Sequence, residues 1–420
     1  MHESGNTRLL RLSDDAQNAL ISAARDAEPV RGLTHGFYKY PARFSPAFVR
    51  AAIQTFTKPG DLVLDPHVGG GTTLVEARAA GREAVGVDIS TLAEFVCNVK
   101  CTIYSDQELD TLEVWSSKVT DCVHIHRGAT QFKRHAELGY YKHLDHPSRW
   151  RLRKAVEQAL ASAISLGAPR LEAFGRCVVL RTAQWALDGR VKLPTIEEFR
   201  TYLGENAKKM VLGARELRAA VKQSGRQPLT VLRRSAAGLE HDFRLRGMKS
   251  PRLVVTSPPY PGVHVLYHRW QVDGRKETPF PFMIANALDG AGLSYYTMGD
   301  RKNPGLKTYF DNIRTTMSSV AALCDSDTVL VQMVAFSDPS WQLPRYIETM
   351  EEAGLYEMKL TTLKDERDGR LWRSVPSRRW YSEQRGNTPG SQEVVLIHRK
   401  ERSVTRLLEA SLATSNTEAQ

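Results

Sequence analysis

The run Leu62-Val63-Leu64, closed by Asp65 and followed at once by Pro66-His67-Val68-Gly69-Gly70-Gly71-Thr72-Thr73, restricts this chain more than any other stretch. A short apolar run bounded by turn residues predicts a buried strand. The glycines then predict a tight loop. The segment Thr73-Leu74-Val75-Glu76-Ala77-Arg78-Ala79-Ala80 has helical spacing, and Gly81 is placed to end it. A second buried strand follows in Ala84-Val85-Gly86-Val87, closed by Asp88. Strand, glycine loop, helix, strand and acid in that order open a doubly wound α/β sheet. Glycines let a ligand come close to the backbone, and the helix start offers it unpaired N–H groups. A carboxylate at Asp88 is placed to take the two hydroxyls of a ribose. The loop lacks the Gly-Lys-Ser/Thr of a nucleotide triphosphate loop and does not follow GxGxxG. Just upstream, residues 46–56 read as a helix that begins at Pro46, a good first-turn residue.

A second motif lies far downstream. Val254-Val255-Thr256 reads as the end of a buried strand, and Ser257-Pro258-Pro259-Tyr260 follows at its C-terminal edge, where open α/β sheets bind ligands. Two prolines remove two N–H donors and stiffen the loop. Two acceptors are thereby held in place, the Ser257 hydroxyl oxygen and a carbonyl near Pro258. An exocyclic amine has two N–H bonds to offer such a pair. Giving them up draws its nitrogen toward tetrahedral geometry and frees the lone pair for attack. Tyr260 supplies a flat face on which a base taken out of its stack can rest. No cysteine stands beside this loop, which argues against attack through a ring carbon.

The remaining chain divides by pattern. Residues 1–30 are polar, with one amphipathic stretch from Ala16 to Ala24 and no apolar leader segment. From about 100 to 225 long helical patterns dominate, and the sheet pattern resumes near 229. Further strands are predicted at 328–334, 356–363 and 393–400, the last two as an antiparallel edge. No run of apolar residues is long enough to span a membrane. The five cysteines, Cys97, Cys101, Cys122, Cys177 and Cys324, are odd in number and form no CxxC pair, so reduced thiols in the cytoplasm and no metal site are expected. Lys and Arg number 58 against 47 Asp and Glu, a formal charge of +11 that suits a polyanionic partner. Between 364 and 390, Arg370, Arg373, Arg378, Arg379 and Arg385 stand among Trp372, Trp380 and Tyr381. Guanidiniums interleaved with aromatic rings suit phosphates and splayed bases, and Arg370, Arg373, Arg378, Arg379 and Trp380 are the residues expected to touch nucleic acid.

Three blocks resemble the DNA amino-methyltransferases, the N4-cytosine and N6-adenine group. They are Tyr40-Pro41-Ala42-Arg43-Phe44-Ser45-Pro46, Asp65 through Thr73, and Thr256 through Tyr260. The resemblance covers roughly residues 35–100 and 228–400. It implies a Rossmann-like methyltransferase fold: a doubly wound, mostly parallel sheet with an antiparallel edge and a helical insertion. It implies a catalytic domain over 31–100 and 226–402, a polar lead-in over 1–30 and a polar tail over 403–420; the helical insertion over 101–225 competes with the basic stretch 364–390 as the segment that reads DNA. It implies S-adenosyl-L-methionine held by Phe44, Asp65, His67, Gly69, Gly71, Thr72 and Asp88. The catalytic residues it implies are Ser257, Pro258, Pro259 and Tyr260. Ser in the first position of that loop is typical of N4-cytosine members, while Asp or Asn is typical of N6-adenine members. Double-stranded DNA is then the partner, with a cognate restriction endonuclease or other defence proteins beside it. The expected target is cytosine N4; N6-adenine methylation of DNA is the nearest rival reading, followed by methylation of an RNA amine and by a methyltransferase fold that only binds DNA. The chain departs from the family at His67, where Phe is usual, and at Arg233-Arg234-Ser235, where an acid usually follows the strand. The long insertion between the cofactor loop and the catalytic loop is a further departure from many members with this loop.

Overall fold

The computed structural model describes residues 9–10, 12–26, 28, 30–40, 44–127, 132–261, 269–272, 274, 276–288, 298–299, 304–363, 367–374 and 392–400. The strands are β1 (Leu9–Leu10), β2 (Leu62–Asp65), β3 (Glu83–Asp88), β4 (Leu229–Arg233), β5 (Leu253–Thr256), β6 (Trp270–Val272), β7 (Lys276–Thr278), β8 (Val329–Val334), β9 (Leu355–Leu360), β10 (Leu371–Ser374) and β11 (Gln392–Lys400). The first helices are α1 (Asp14–Arg25), α2 (Pro46–Phe56), α3 (Thr72–Ala79), α4 (Thr91–Cys101), α5 (Asp106–Lys118) and α6 (Lys133–Glu137). They are followed by α7 (Trp150–Ile164), α8 (Pro169–Leu187), α9 (Ile196–Ser224), α10 (Phe280–Ala285), α11 (Lys307–Leu323) and α12 (Pro339–Glu352).

One sheet organises the chain, in the order β1-β9-β11-β8-β5-β2-β3-β4, with β10 beside the first part of β11. The chain runs outward from β2 through β3 to β4, then returns to the other side of β2 as β5 and continues to β8. The order therefore reverses between β2 and β5, which are parallel neighbours with Val63 opposite Leu253 and Leu64 opposite Val254. A crevice opens at such a reversal, beyond the C-terminal ends of the strands. β11 is antiparallel and slots between β8 and β9 (Ile397 faces Val331 on one side and Met358 on the other). The antiparallel pairing expected for the last two predicted strands is thus present, and the mostly parallel, doubly wound sheet is the expected fold.

Alternation along each strand feeds two separate cores. Val63, Leu253, Val255, Val331 and Ile397 face one side, where α2, α3 and α9 contribute Phe48, Val49, Leu74, Val75, Leu217 and Val221. Leu64, Val254, Leu330 and Leu396 face the other, against Ile313, Met317 and Val320 of α11 and Tyr346 and Met350 of α12. Because both faces are covered, β2, β5 and β8 are buried throughout their length and read as apolar runs. The helix expected over 46–56 occupies those residues; Ser45 accepts from the Phe48 N–H and Pro46 fills the first turn.

Within 101–225, α5, α7, α8 and α9 bury a third core of their own, joined by Leu92, Val96 and Val99 of α4. Helix α9 belongs to both bodies. Its Phe199, Leu203, Ala207 and Met210 lie in the helical core, while Leu217 and Val221 lie against the sheet. One continuous helix of 29 residues thereby fixes the helical segment to the sheet. Among the described residues no helix is long and apolar enough to cross a membrane.

Candidate active site

The glycine loop is built by contacts that its sequence only partly announces. Val68 N–H donates to the Val87 carbonyl and Gly71 N–H to the Val68 carbonyl, so the loop folds back over β3. Gly71 has φ +75° and caps α3, and a Cβ there would stand 3.0 Å from Cys97 Sγ. At Gly70 the constraint is space: a Cβ would lie 2.7 Å from Tyr40 Cβ. The buried ammonium of Lys100 donates to the Gly70 carbonyl from below. On α3, buried Glu76 accepts from His35 at 2.8 Å and from Arg50 at 2.9 Å, tying α2 and the preceding turn to the loop helix.

The loop faces a cavity of about 330 Å³, within the roughly 300–1,000 Å³ of small-molecule sites. Phe44, Asp65, His67, Gly69, Thr72 and Asp88 line it, as do Ser257 and Pro259 from the loop after β5. The two sequence motifs, 192 positions apart from Asp65 to Ser257, therefore share one wall-to-wall space at the reversal of the sheet. Gly71 shapes the loop without lining the cavity. Thr256 Oγ1 stands 3.3 Å from His67 Nδ1, which joins the two loops directly.

Burial sets the electrostatics. Asp65 is buried, and desolvation pushes its carboxyl up to about 7, against the opposing pull of the Thr73 hydroxyl, the His67 N–H and the Thr256 hydroxyl. Asp88 is pushed up to about 6 by the same cause, although it accepts from the Ser90 and Gly69 N–H groups. His67 is lowered to about 4 by burial and is neutral at pH 7. Buried Asp65 and part-buried Asp88 thus favour positive charge, and the helix start beside them offers N–H groups to negative charge.

Residues beyond the sequence motifs also line the cavity. Ile89, Arg234, Ser235, Ala236 and Ala237 do so from the ends of β3 and β4, and Asn312, Thr315 and Thr316 from α11. The first group was legible in principle, because β4 neighbours β3 at the same edge; the second carries no local signal. Arg234 is bound by Asp242 at 2.9 Å. Arg244 and Arg234 together hold Asp242 well below the usual carboxylate range, so Arg234 does not bring an unpaired cation into the cavity.

Several anticipated roles meet a different placement. Tyr260 was expected to offer a stacking face, but it is 4% exposed, sits in the sheet core and does not line the cavity. Its hydroxyl donates to Glu393 at 2.7 Å and lies 3.1 Å from Ser257 Oγ. Pro258 does not line the cavity either, while the Pro259 carbonyl accepts from Tyr309 at 2.8 Å. Arg370 forms a two-pronged ion pair with Glu357 at 2.6 and 2.7 Å. Arg373 pairs with buried Glu393 at 2.8 Å. Both guanidiniums are turned along the sheet edge instead of outward to a phosphate. Arg378, Arg379 and Trp380 lie outside the described residues, as do residues 41–43 of the first family block. Among the described residues no group of three or more His, Cys, Asp and Glu side chains could hold a metal ion.

Strand order, crevice and cavity define a doubly wound, mostly parallel α/β domain of the Rossmann-like kind. Residues 17–94 match the family model described as DNA methylase for N6 and N4 amino groups. The type II methyltransferase M.MjaII of Methanocaldococcus jannaschii is 35% identical over 75 residues, 18% of this chain and 14% of that protein. The type II methyltransferase M.BsoBI of Geobacillus stearothermophilus is 28% identical over 127 residues, 28% of this chain and 25% of that protein. The matches therefore span a quarter or less of those relatives' own lengths. The rRNA methyltransferase aviRa of Streptomyces viridochromogenes superposes with a TM-score of 0.34 at 13% identity, over 90% of this chain and 96% of that one. Over residues 17–94 the chain is thus similar to the DNA amino-methyltransferase family. Methyltransferases of this family take their methyl group from S-adenosyl-L-methionine. The residues present fit that donor: Asp65 and Asp88 for its positive charge and ribose, and the N-terminus of α3 for its carboxylate.

Proposed function

We propose that the chain methylates the exocyclic amino nitrogen of a base in double-stranded DNA, cytosine N4, after the base has left the stack. The observation that carries this reading is the single cavity lined by Ser257 on one side and by Asp65, Gly69 and Asp88 on the other. When bound there, S-adenosyl-L-methionine supplies an electrophilic methyl carbon. Phe44, Asp65, His67, Gly69, Gly71, Thr72 and Asp88 hold and orient that donor. Ser257 Oγ, which lines the cavity, and a backbone carbonyl of the loop near Pro258 accept the two hydrogens of the amine, which turns its lone pair toward the methyl group. Acceptors already in place would also stabilise the positive charge that grows on nitrogen as its bond to the methyl carbon forms and the sulfur–carbon bond of the donor breaks, with S-adenosyl-L-homocysteine leaving and one amine proton passing out to bulk water. Neutral His67 and the buried faces of the cavity keep water away from the reacting atoms. Ser257, where Asp or Asn would favour adenine, supports cytosine as the target.

The surplus of basic residues supports DNA as the partner. Recognition falls to one of two segments, the helical segment 101–225 or the basic stretch 364–390. A site-specific enzyme of this kind works in the cytoplasm beside a restriction endonuclease or related defence proteins. Expression in a host without its own methylation, followed by genome-wide mapping of modified bases, tests the reading. Modified cytosine at one short motif is the expected result. Modified adenine would move the target to N6, and no modification by abundant folded protein would leave a fold that only binds DNA.

A further inference from the structure

A chain of polar side chains runs from the cavity to the antiparallel strand at the far side of β8. Ser257 Oγ donates to the Met333 carbonyl at 3.1 Å and lies 3.1 Å from Tyr260 OH. Tyr260 OH donates to Glu393 Oε1 at 2.7 Å. Arg373 Nε and Nη2 both reach Glu393 Oε2 at 2.8 Å. The Arg373 and Glu393 side chains are 8% and 4% exposed.

Counting hydrogens fixes the direction of every bond. A guanidinium only donates and a carboxylate only accepts. Glu393 therefore takes the single hydroxyl hydrogen of Tyr260. The single hydrogen of Ser257 has two acceptors pointing inward, the Met333 carbonyl and the Tyr260 oxygen. Neither of these two groups sends a hydrogen to Ser257 Oγ, so the serine meets the cavity with lone pairs. The distinction matters because a hydroxyl can play either part. A serine that donated to the substrate amine would tie up the lone pair needed for attack.

We propose that Glu393, oriented by Arg373 and acting through Tyr260, is a positioning residue that fixes Ser257 as a hydrogen-bond acceptor toward the substrate amine. The inference rests on the methyltransferase reading above and assigns Tyr260 a part other than stacking.

Glu393→Gln tests it. Because Arg373 can only donate, the new amide oxygen must face Arg373, which turns the amide NH₂ against the Tyr260 oxygen. Tyr260 then accepts, and its hydrogen swings to Ser257 Oγ. One of the two lone pairs of Ser257 Oγ is then taken up, which leaves a weaker and differently aimed acceptor for the substrate. The expected result is a fall in kcat of about tenfold or more, of the kind seen when one preorganised polar contact is lost. KM for DNA and cofactor affinity by calorimetry stay within about twofold, since neither contact is changed. The same substitution in a Tyr260→Phe chain has no hydroxyl to turn, so it changes kcat by less than about twofold relative to Tyr260→Phe alone. If Glu393→Gln does not fold, Glu393→Asp gives the same comparison, with its kcat loss confined to the chain that keeps the Tyr260 hydroxyl. A methylating parent in which the Glu393 substitution costs the same in both backgrounds, or nothing in the parent background, overturns this inference alone. A parent that methylates no DNA overturns the functional reading and this inference with it.

Discussion

Asp88 Oδ2 accepts the Gly69 N–H at 3.0 Å, so the acid that closes β3 and the loop that follows β2 hold each other in place. Its other oxygen accepts the Ser90 N–H at 2.9 Å. Both oxygens are thus committed to backbone donors. In Asp88→Asn one oxygen becomes NH₂ and opposes an N–H, leaving a half-buried donor without a partner. Chemical denaturation should show a loss of about 1–3 kcal/mol, together with weaker cofactor binding by calorimetry. Unchanged stability would contradict the double backbone role.

Cofactor binding should depend on pH through Asp65 and Asp88. Their folded values, about 7 and about 6, lie above the unfolded carboxylate value of 3.8. The stability they lend to the free protein is therefore full below about pH 4 and is lost as pH rises through 6 and 7. A cation in the cavity favours the ionised carboxylates. Affinity for S-adenosyl-L-methionine should strengthen by about tenfold or more between pH 5.5 and 8. S-adenosyl-L-homocysteine, which lacks the sulfonium charge, should gain less. Calorimetry over that range with both ligands checks the difference, and parallel pH profiles would contradict it.

Gly71→Ala meets two obstacles at once, a φ of +75° and a Cβ 3.0 Å from Cys97 Sγ. The left-handed conformation alone costs a non-glycine residue about 1–2 kcal/mol. A drop in thermal stability and a several-fold weaker cofactor affinity are expected. A variant as stable as the parent would show that the loop can relax around the methyl group.

His398 gives the opposite pH sign. It lies fully buried in β11, and neither ring nitrogen has a hydrogen-bond partner among the described residues. Burial lowers it from 6.5 to about 4, with Glu357 opposing and Arg370 reinforcing that shift. A depressed histidine lends stability above its unfolded value and loses it as pH falls from 6.5 toward 4. Relative to His398→Leu, the parent should lose up to about 3 kcal/mol over that interval. Denaturant melts at pH 7.5 and 4.5 on both proteins measure it; equal losses would contradict a buried neutral imidazole.

Local chemistry made much of this legible in the sequence. Ser45 and Pro46 start α2, the apolar runs of β2 and β3 bracket the glycine loop, and Val254-Val255-Thr256 delivers Ser257 to the same edge. Pairing at long range was less accessible. The antiparallel contact of β9 and β11 joins two strands that the sequence predicts one after the other. The insertion of β11 beside β8 spans the 57 residues from 335 to 391 and depends on no local pattern. That placement carries Glu393 to Tyr260, 133 positions away, and turns a tyrosine expected on the surface of the cavity into a buried one. The partners of Arg370 and Arg373 were hidden for the same reason: Glu357 and Glu393 stand on neighbouring strands, which a run of basic residues does not reveal.

The central claim is that one cavity brings a methyl donor and an amine together. Its most direct measurement uses purified protein, unmethylated duplex DNA carrying many sequences, and S-adenosyl-L-methionine with a deuterated methyl group, followed by digestion to nucleosides and mass spectrometry. The account predicts labelled N4-methylcytosine from the parent and a loss of at least about tenfold from Ser257→Ala. Label on a ring carbon, or equal label with and without the Ser257 hydroxyl, would contradict it.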